Sequence, residues 1–135
     1  VDKYIDRGYI ESMLGRDAQR DAGELVVLSL LAEGSKYGYA LTKEAAARSE
    51  GRLRLTPGVL YPLLKSLEGQ GLVTTSWEEV KSERSEPGEA GRRRKWYQLS
   101  PKGRRRLEQR VEAHRVYRSV IDAFLGGAPA EEGTP

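Results

Sequence analysis

The segment 53–73, LRLTPGVLYPLLKSLEGQGLV, constrains the fold more than any other part of this 135-residue chain. Thr56 is a favourable N-cap and Pro57 is favoured at the first helical position, so the sequence marks a helix start twice. Four leucines follow at i, i+3, i+4 and i+7, the spacing of one buried helical stripe: Leu60, Leu63, Leu64 and Leu67. The segment therefore predicts a short amphipathic helix whose leucine face enters the core.

The face opposite the leucines is small, aromatic or basic and carries no acid. At about 100° per residue, it holds Gly58, Tyr61, Pro62, Lys65 and Gly69. Such a face can approach a polyanion closely, and the first amides of a helix can receive a phosphate. At the sixth helical position Pro62 cannot donate to the Gly58 carbonyl, which predicts a bend or a free carbonyl there. A helix that begins later, at Leu60 or Tyr61, would need no bend.

Other periodic segments predict two helices before this one and a hairpin after it. Residues 17–33 are apolar nearly all round at their centre, which predicts a central core helix that ends at Gly34. An alanine-rich run predicts a second helix over about 37–51. Residues 72–79 alternate as a strand does, and 94–99 are also β-prone, so together they predict a hairpin around a long polar loop.

Ser100 and Pro101 repeat the start signal and open a last helix that reaches about Phe124. This helix carries two apolar stripes, one of Leu107, Val111, Ile121 and Leu125, the other of Ala113, Tyr117, Val120 and Phe124. The chain's own core can cover one stripe, whereas a second stripe asks for a partner, and a second copy of the chain is the simplest. The predicted homodimer interface is Leu107, Val111, Tyr117, Val120, Ile121, Phe124 and Leu125.

Charge is distributed unevenly along the chain, although its net value is only +3 and its pI about 9.2. Residues 92–118 contain eleven Lys or Arg against two Glu, and residues 78–89 contain five Glu against two cations. A basic segment beside an acidic one indicates a polyanionic partner, although a basic run is also typical of a solvated helix face. Glu83, Glu86 and Glu89 are able to fold back and neutralise the arginines.

The composition argues against an enzyme and against a bound metal or cofactor. There is no cysteine, and His114 is the only histidine, so neither a thiolate site nor a His-rich metal site is available within one chain. The pairs Glu78–Glu79 and Glu131–Glu132 are sequence neighbours and form no carboxylate dyad. No apolar run reaches the roughly 18–20 residues of a membrane span, and no signal-peptide centre opens the chain. These features predict a cytoplasmic protein.

Three helices followed by a hairpin are the order of a winged helix-turn-helix domain. We therefore expect a mainly α fold with a small β-hairpin and a long C-terminal helix. Three segments also resemble the PadR-like transcriptional regulators: LVVLSLLAEGSKYGYAL (25–41), LTPGVLYPLLKSLEGQGLV (55–73) and RRKWYQLSPKGRRRL (93–107). The resemblance covers about 25–107 and implies a repressor that binds double-stranded DNA as a homodimer, on a palindromic operator. It further implies the short subfamily, in which a single C-terminal helix forms the dimer.

The resemblance also implies which residues contact DNA, on the second and third helices and at the base of the wing. They are Tyr37, Tyr39, Lys43, Thr56, Pro57, Gly58, Tyr61, Lys65, Arg92, Arg93, Arg94 and Lys95. The expected organisation is a helical N-terminal extension over 1–16, a winged-helix domain over 17–99, a dimerisation helix over 100–125 and a disordered tail over 126–135.

Two features depart from the family: the wing loop is long and acidic, and about 20 residues precede the matching core. Some members bind flat aromatic compounds between their dimer helices. Here Trp77 and Trp96 lie in the hairpin, and the last helix offers only Tyr117 and Phe124, so a small-molecule inducer stays an open possibility without a predicted pocket. The alternative function is a winged helix that docks a protein or binds RNA, with the acidic loop as its contact.

Overall fold

Three helices, a small antiparallel sheet and a long final helix follow one another in the computed structural model, which describes residues 16–80 and 92–126. The helices are α1 (Arg16–Ala32), α2 (Gly38–Arg48), α3 (Pro57–Gly69) and α4 (Pro101–Leu125), and the strands are β1 (Lys36–Tyr37), β2 (Val73–Val80) and β3 (Arg92–Leu99). This confirms the predicted mainly α, winged-helix class with a long C-terminal helix. The expected helix in 1–16, the wing-loop acids Glu83, Glu86 and Glu89, and the expected disorder after residue 126 lie outside the described residues.

The sheet has the order β1-β3-β2, with both pairs antiparallel. Strands β2 and β3 are the two arms of the predicted hairpin, and Thr75 lies opposite Tyr97 in their register. Strand β1 adds a third strand that the sequence pattern does not predict, because two residues are too few to show an alternation. It pairs Tyr37 with Trp96, and so attaches the start of α2 to the wing.

The core lies where α1, α2, α3 and the base of the sheet meet. Leu60, Leu64 and Leu67 of the predicted stripe are fully buried, whereas Leu63 is half-buried against the same core. Leu28 and Leu31 of α1 are buried as well, which agrees with the apolar centre of that helix. The leucine face is therefore committed to the core, and the opposite face of α3 is left to solvent.

Helix α3 begins at Pro57 and continues through Pro62, so a start at Leu60 or Tyr61 is wrong. Proline has no N–H, and the Gly58 carbonyl accordingly lacks its regular amide donor. Thr56 occupies the N-cap position, but its side chain makes no capping hydrogen bond. Among the helices of the described ranges, none is long and apolar enough to cross a membrane.

Candidate nucleic-acid interface

A pocket of about 610 Å³ opens where the start of α2, the exposed face of α3 and the base of the wing meet. It is lined by Tyr37, Gly38, Tyr39, Tyr61, Arg93, Arg94, Lys95 and Tyr97. Four phenols and three cations thus surround one open space, although they come from three separate parts of the chain. Such a lining can hydrogen-bond and neutralise an anion, and its rings can stack against flat groups.

The two helices meet in this pocket through Gly38 and Tyr61. A Cβ added at Gly38 would lie 2.6 Å from Tyr61 Oη and 3.1 Å from its ring, so only glycine leaves room for this phenol. Thr42 fastens the same two helices from the other side, because its hydroxyl donates to the Leu55 carbonyl just before α3 (2.9 Å). Tyr61 is consequently supported by α2, although the residue remains about half exposed (48%).

Aromatic rings hold the two exposed arginines of the wing. The Arg93 guanidinium lies 4.7 Å from the centre of the Trp77 ring, and that of Arg94 lies 4.3 Å from the centre of the Tyr37 ring. Glu79 and Glu78 stand opposite these arginines in the β2–β3 register. Within the described ranges, however, no ion pair joins them, and Glu78 instead accepts a hydrogen bond from Trp96 Nε1 (3.0 Å).

Lys95 is placed differently from the arginines, since it bridges the wing and α3. Its ammonium group lies 3.7 Å from Glu68 Oε1 on α3 and 5.6 Å from the centre of the Trp77 ring. Glu68 Oε2 also accepts a hydrogen bond from the Thr75 hydroxyl on β2 (3.1 Å). The charge of Lys95 is therefore already partly compensated. Lys95 and Thr75 both contact Glu68 and so link the wing to α3.

Tyr97 forms the floor of the pocket and is buried. Burial raises the pKa of its phenol above the ordinary value, and the neighbouring Tyr61 and Glu68 raise that pKa further. Because a phenol with a raised pKa is protonated at neutral pH, Tyr97 presents a neutral hydrogen-bonding group. The positive charge of the pocket therefore comes from Arg93, Arg94 and Lys95.

The remaining predicted DNA contacts lie outside this pocket. Lys43, Thr56, Pro57 and Lys65 are exposed on α2 and α3. Gly58 lines a second opening, of about 490 Å³, with Pro62, Leu63 and others at the start of α3. Arg92 begins β3 in the register opposite Val80, at the end of the described part of the wing.

The predicted dimer residues divide along α4. Leu107 packs against the core of its own chain, and Ile121 is partly exposed. The others are exposed, with Tyr117 at 65% and Phe124 at 83%: Val111, Tyr117, Val120, Phe124 and Leu125. The two predicted stripes are therefore not divided between core and partner, because in the distal part of the helix both of them lie open.

The sequence pattern does not reveal Gly38, Tyr97, Trp77 and Glu68 as members of this surface. Trp77 and Tyr97 belong to the alternation of the hairpin, but the pattern alone does not reveal which ring lies beneath which arginine. Glu68 sits at the flank of the helix, and its partners Thr75 and Lys95 become visible only in the folded chain. No group of three or more His, Cys, Asp or Glu in the described part of the chain is arranged to hold a metal ion.

The fold and this surface define a winged-helix protein with a cationic, aromatic interface. A family model described as the transcriptional regulator PadR-like family matches residues 27–109. The chain is 32% identical over 112 residues to the transcriptional regulator Rv3488 of Mycobacterium tuberculosis. The aligned region covers 83% of this chain and 91% of that protein. The chain belongs to the PadR-like transcriptional regulator family.

Solved structures support the same assignment. A PadR-family transcriptional regulator from Eggerthella lenta shares 29% identity and a TM-score of 0.69, over 87% of this chain and 93% of that one. A PadR-family transcription regulator from Clostridium difficile shares 30% identity and a TM-score of 0.60, over 76% and 96%. Family membership makes this chain a transcriptional regulator and not an enzyme, and it implies that the protein binds DNA.

Proposed function

We propose that the protein is a sequence-specific, DNA-binding repressor that acts in the cytoplasm as a homodimer on a palindromic operator. The observation that carries the proposal is the joining of Tyr37, Tyr39 and Tyr61 with Arg93 and Arg94 in one pocket beside the exposed face of α3. A surface of this kind offers base-reading groups and phosphate-binding groups side by side.

The wing arginines are suited to phosphate contacts. A guanidinium that stacks on a ring keeps its N–H donors pointing outward in its own plane, where they can bind phosphate oxygens in pairs. The Arg93 guanidinium lies over the Trp77 ring and that of Arg94 over the Tyr37 ring, at distances that allow this arrangement. The rings also restrict the rotamers of both side chains, so less conformational entropy is lost when a phosphate binds.

Helix α3 supports a second kind of contact. Thr56, Pro57 and Gly58 at its start are exposed. Pro57 has no N–H and the Val59 amide donates to the Thr56 carbonyl (2.9 Å), so the Gly58 amide is the first-turn donor without an acceptor in the helix. This amide is able to receive a phosphate at the edge of the major groove. Tyr61 and Lys65, one and two turns further along, then face the same side and reach towards base edges.

The distal part of α4 supports the homodimer. An exposed stripe with Tyr117, Val120, Phe124 and Leu125 is larger than the scattered apolar residues of a monomer surface. A two-fold dimer through this stripe presents two α3 helices related by symmetry, which matches a palindromic site. The proposal includes no inducer, because the described residues of α4 expose only Tyr117 and Phe124 as aromatic side chains.

The test measures binding to an operator selected from random duplexes, to an unrelated duplex and to a matched RNA duplex, each as a function of salt. Arg93→Ala with Arg94→Ala should weaken binding to both DNA duplexes and lower the slope of log affinity against log salt by about one unit per lost phosphate contact. Arg104→Ala with Arg105→Ala removes the same charge from exposed positions on α4 and serves as the control.

Tyr61→Ala should reduce affinity for the operator by about 1–3 kcal/mol and leave the unrelated duplex nearly unchanged. Tyr61→Phe separates the contribution of the hydroxyl from that of the ring. Equal affinity for DNA and RNA duplexes, or a selection without any palindromic consensus, would overturn the proposal in favour of an RNA-binding or protein-docking module.

A further inference from the structure

The start of α4 is bonded directly to the turn that follows α3. The Ser100 amide donates to the Leu72 carbonyl (3.0 Å), and the Ser100 hydroxyl donates to the Gly71 carbonyl (2.6 Å). The same hydroxyl accepts a hydrogen bond from the Gly103 amide (2.9 Å). One buried serine thus caps α4 and holds it against the end of α3.

Side chains of the first turns of α4 add a second set of bonds to the same turn. Lys102 Nζ donates to the Gln70 carbonyl (2.9 Å), and Arg106 Nη1 donates to Gln70 Oε1 (3.4 Å). Gln70 is the C-cap of α3. A Cβ at Gly103 would lie 2.1 Å from the Leu72 carbonyl oxygen, so the two backbones are as close as glycine permits.

One turn further along, α4 is bonded to α1 by charge. Glu24 Oε2 lies 3.6 Å from Arg106 Nη1 and 3.5 Å from Arg110 Nη1. This oxygen is buried and has no hydrogen-bond partner among the described residues. Because a buried carboxylate depends on nearby cations for its compensation, the two arginines restrict the position of α4 relative to α1.

Beyond Arg110 the helix leaves its own domain. All residues from 111 to 120 are exposed, and only Ile121 and Asp122 beyond them are partly covered. The ion pairs of this distal part join residues of α4 itself, namely Arg115 with Glu112 and Arg118 with Asp122. Among the described residues, α4 is therefore attached to the rest of the chain through its first turns, and its distal part is exposed.

We propose that this attachment, the joint formed by Glu24, Gln70–Leu72, Ser100, Gly103, Arg106 and Arg110, sets the half-site spacing of the operator. The inference rests on the proposed homodimer. In a two-fold dimer joined through the distal parts of α4, the angle between α4 and α3 fixes the distance between the two recognition helices. Arg106 and Arg110 are positioning residues in this scheme, since they act on DNA only through α3.

The half-site spacing should be sensitive to small rotations of α4 at the joint. The distal part from Val111 to Leu125 is about 22 Å long at 1.5 Å per residue, so a rotation of about 10° at the joint moves its end by about 4 Å. That displacement is close to the axial rise of one base pair, about 3.4 Å. A looser joint should therefore broaden the range of spacings that the dimer accepts.

The experiment uses the selected operator with its half-sites moved one base pair closer or one further apart. The wild-type dimer should prefer one spacing by roughly tenfold or more, the scale of one mismatched base pair. Arg106→Gln with Arg110→Gln should bring the three affinities towards a common value, while the sedimentation mass stays that of the wild type. Arg104→Gln with Arg105→Gln removes the same charge from exposed positions of the same helix, outside both the joint and the distal part, and should keep the preference.

Glu24→Gln provides a second route to the same result, because it removes the charge that both arginines share and keeps the shape of the side chain. A flattened spacing profile in both folded variants supports the joint, and an unchanged profile in Glu24→Gln overturns it. A wild-type protein that is monomeric, or that binds all spacings equally, contradicts the proposed dimer on a palindrome before any variant is made. The two failures are therefore distinguishable.

Discussion

Helices α3 and α4 begin with the same local signal, a hydroxyl residue followed by proline and, within the first turn, a glycine, yet the contacts of these residues differ. Thr56 is exposed and makes no side-chain capping bond, whereas Ser100 is 8% exposed and its hydroxyl both donates and accepts. Gly58 has nothing within 4 Å of the place where a Cβ would lie, whereas Gly103 would meet the Leu72 carbonyl oxygen at 2.1 Å.

The difference lies in which part of the chain packs against the first turn of each helix. The turn after α3 packs against the first turn of α4 and uses its polar groups. At the first turn of α3, Thr56, Pro57 and Gly58 are exposed, and the Val59 amide donates to the Thr56 carbonyl (2.9 Å). The same signal therefore begins one helix whose first turn is packed against the chain and another whose first turn is exposed.

Exchanging glycine for alanine in each helix gives the largest expected contrast. Gly103→Ala places a Cβ against backbone and should destabilise the fold by about 3 kcal/mol, the upper range for overpacking. Gly58→Ala should leave stability equal or raise it by up to about 1 kcal/mol, because alanine favours the helix. Urea unfolding followed by far-UV circular dichroism measures both. Similar midpoints for the two variants would show that the close contact at Gly103 is not a constraint.

Removing the hydroxyls should give a smaller contrast in the same direction. Ser100→Ala loses the cap and leaves the Gly71 carbonyl without its donor, with an expected loss of about 1–2 kcal/mol. Thr56→Ala removes an exposed side chain without a capping bond and should stay within about 0.5 kcal/mol of the wild type. The same unfolding experiment decides between these values. If Thr56→Ala is as destabilising as Ser100→Ala, the start of α3 is not exposed in solution.

Gly38→Ala should change stability by less than about 1 kcal/mol, because the atom in its way is the far end of the Tyr61 side chain. The displaced phenol should nevertheless lower operator affinity and leave affinity for an unrelated duplex unchanged. A double-mutant cycle provides the control, since Gly38→Ala should have no further effect on binding in a Tyr61→Ala background. An additive loss would mean that Gly38 acts independently of Tyr61.

The elements with strong periodicity were predictable because their signals are short-range. Capping residues, proline at the first position and leucines one turn apart act within a few residues. They predict starts at Pro57 and Pro101, where the structure has them, although for α3 the sequence also allows a later start at Leu60 or Tyr61. The hairpin followed from alternation in the same way. Strand β1 escaped prediction because its two residues become a strand only by pairing with Tyr97 and Trp96, some sixty positions away.

The surface could be predicted in part. Sequence and family resemblance together indicate Tyr37, Tyr61, Arg93 and Arg94, and these residues line one pocket. Neither source indicated that Trp77 and Tyr37 hold the arginines, or that Lys95 is shared with Glu68. Such contacts depend on strand register and on how the wing leans against α3, and no local pattern encodes either of them.

The sequence by itself determined the order of the main helices and the hairpin, the start signals of α3 and α4 and the leucine face, because each of these follows from interactions within a turn or two of the chain. Only the tertiary structure decided which of the two matching helix starts is packed against the chain and which is exposed. The Ser100 cap is completed by Gly71, and the Gly103 contact by Leu72, both about thirty residues earlier. Whether a first-turn amide or hydroxyl is satisfied depends on the backbone that packs against it, and that neighbour is set by the folding of the whole chain.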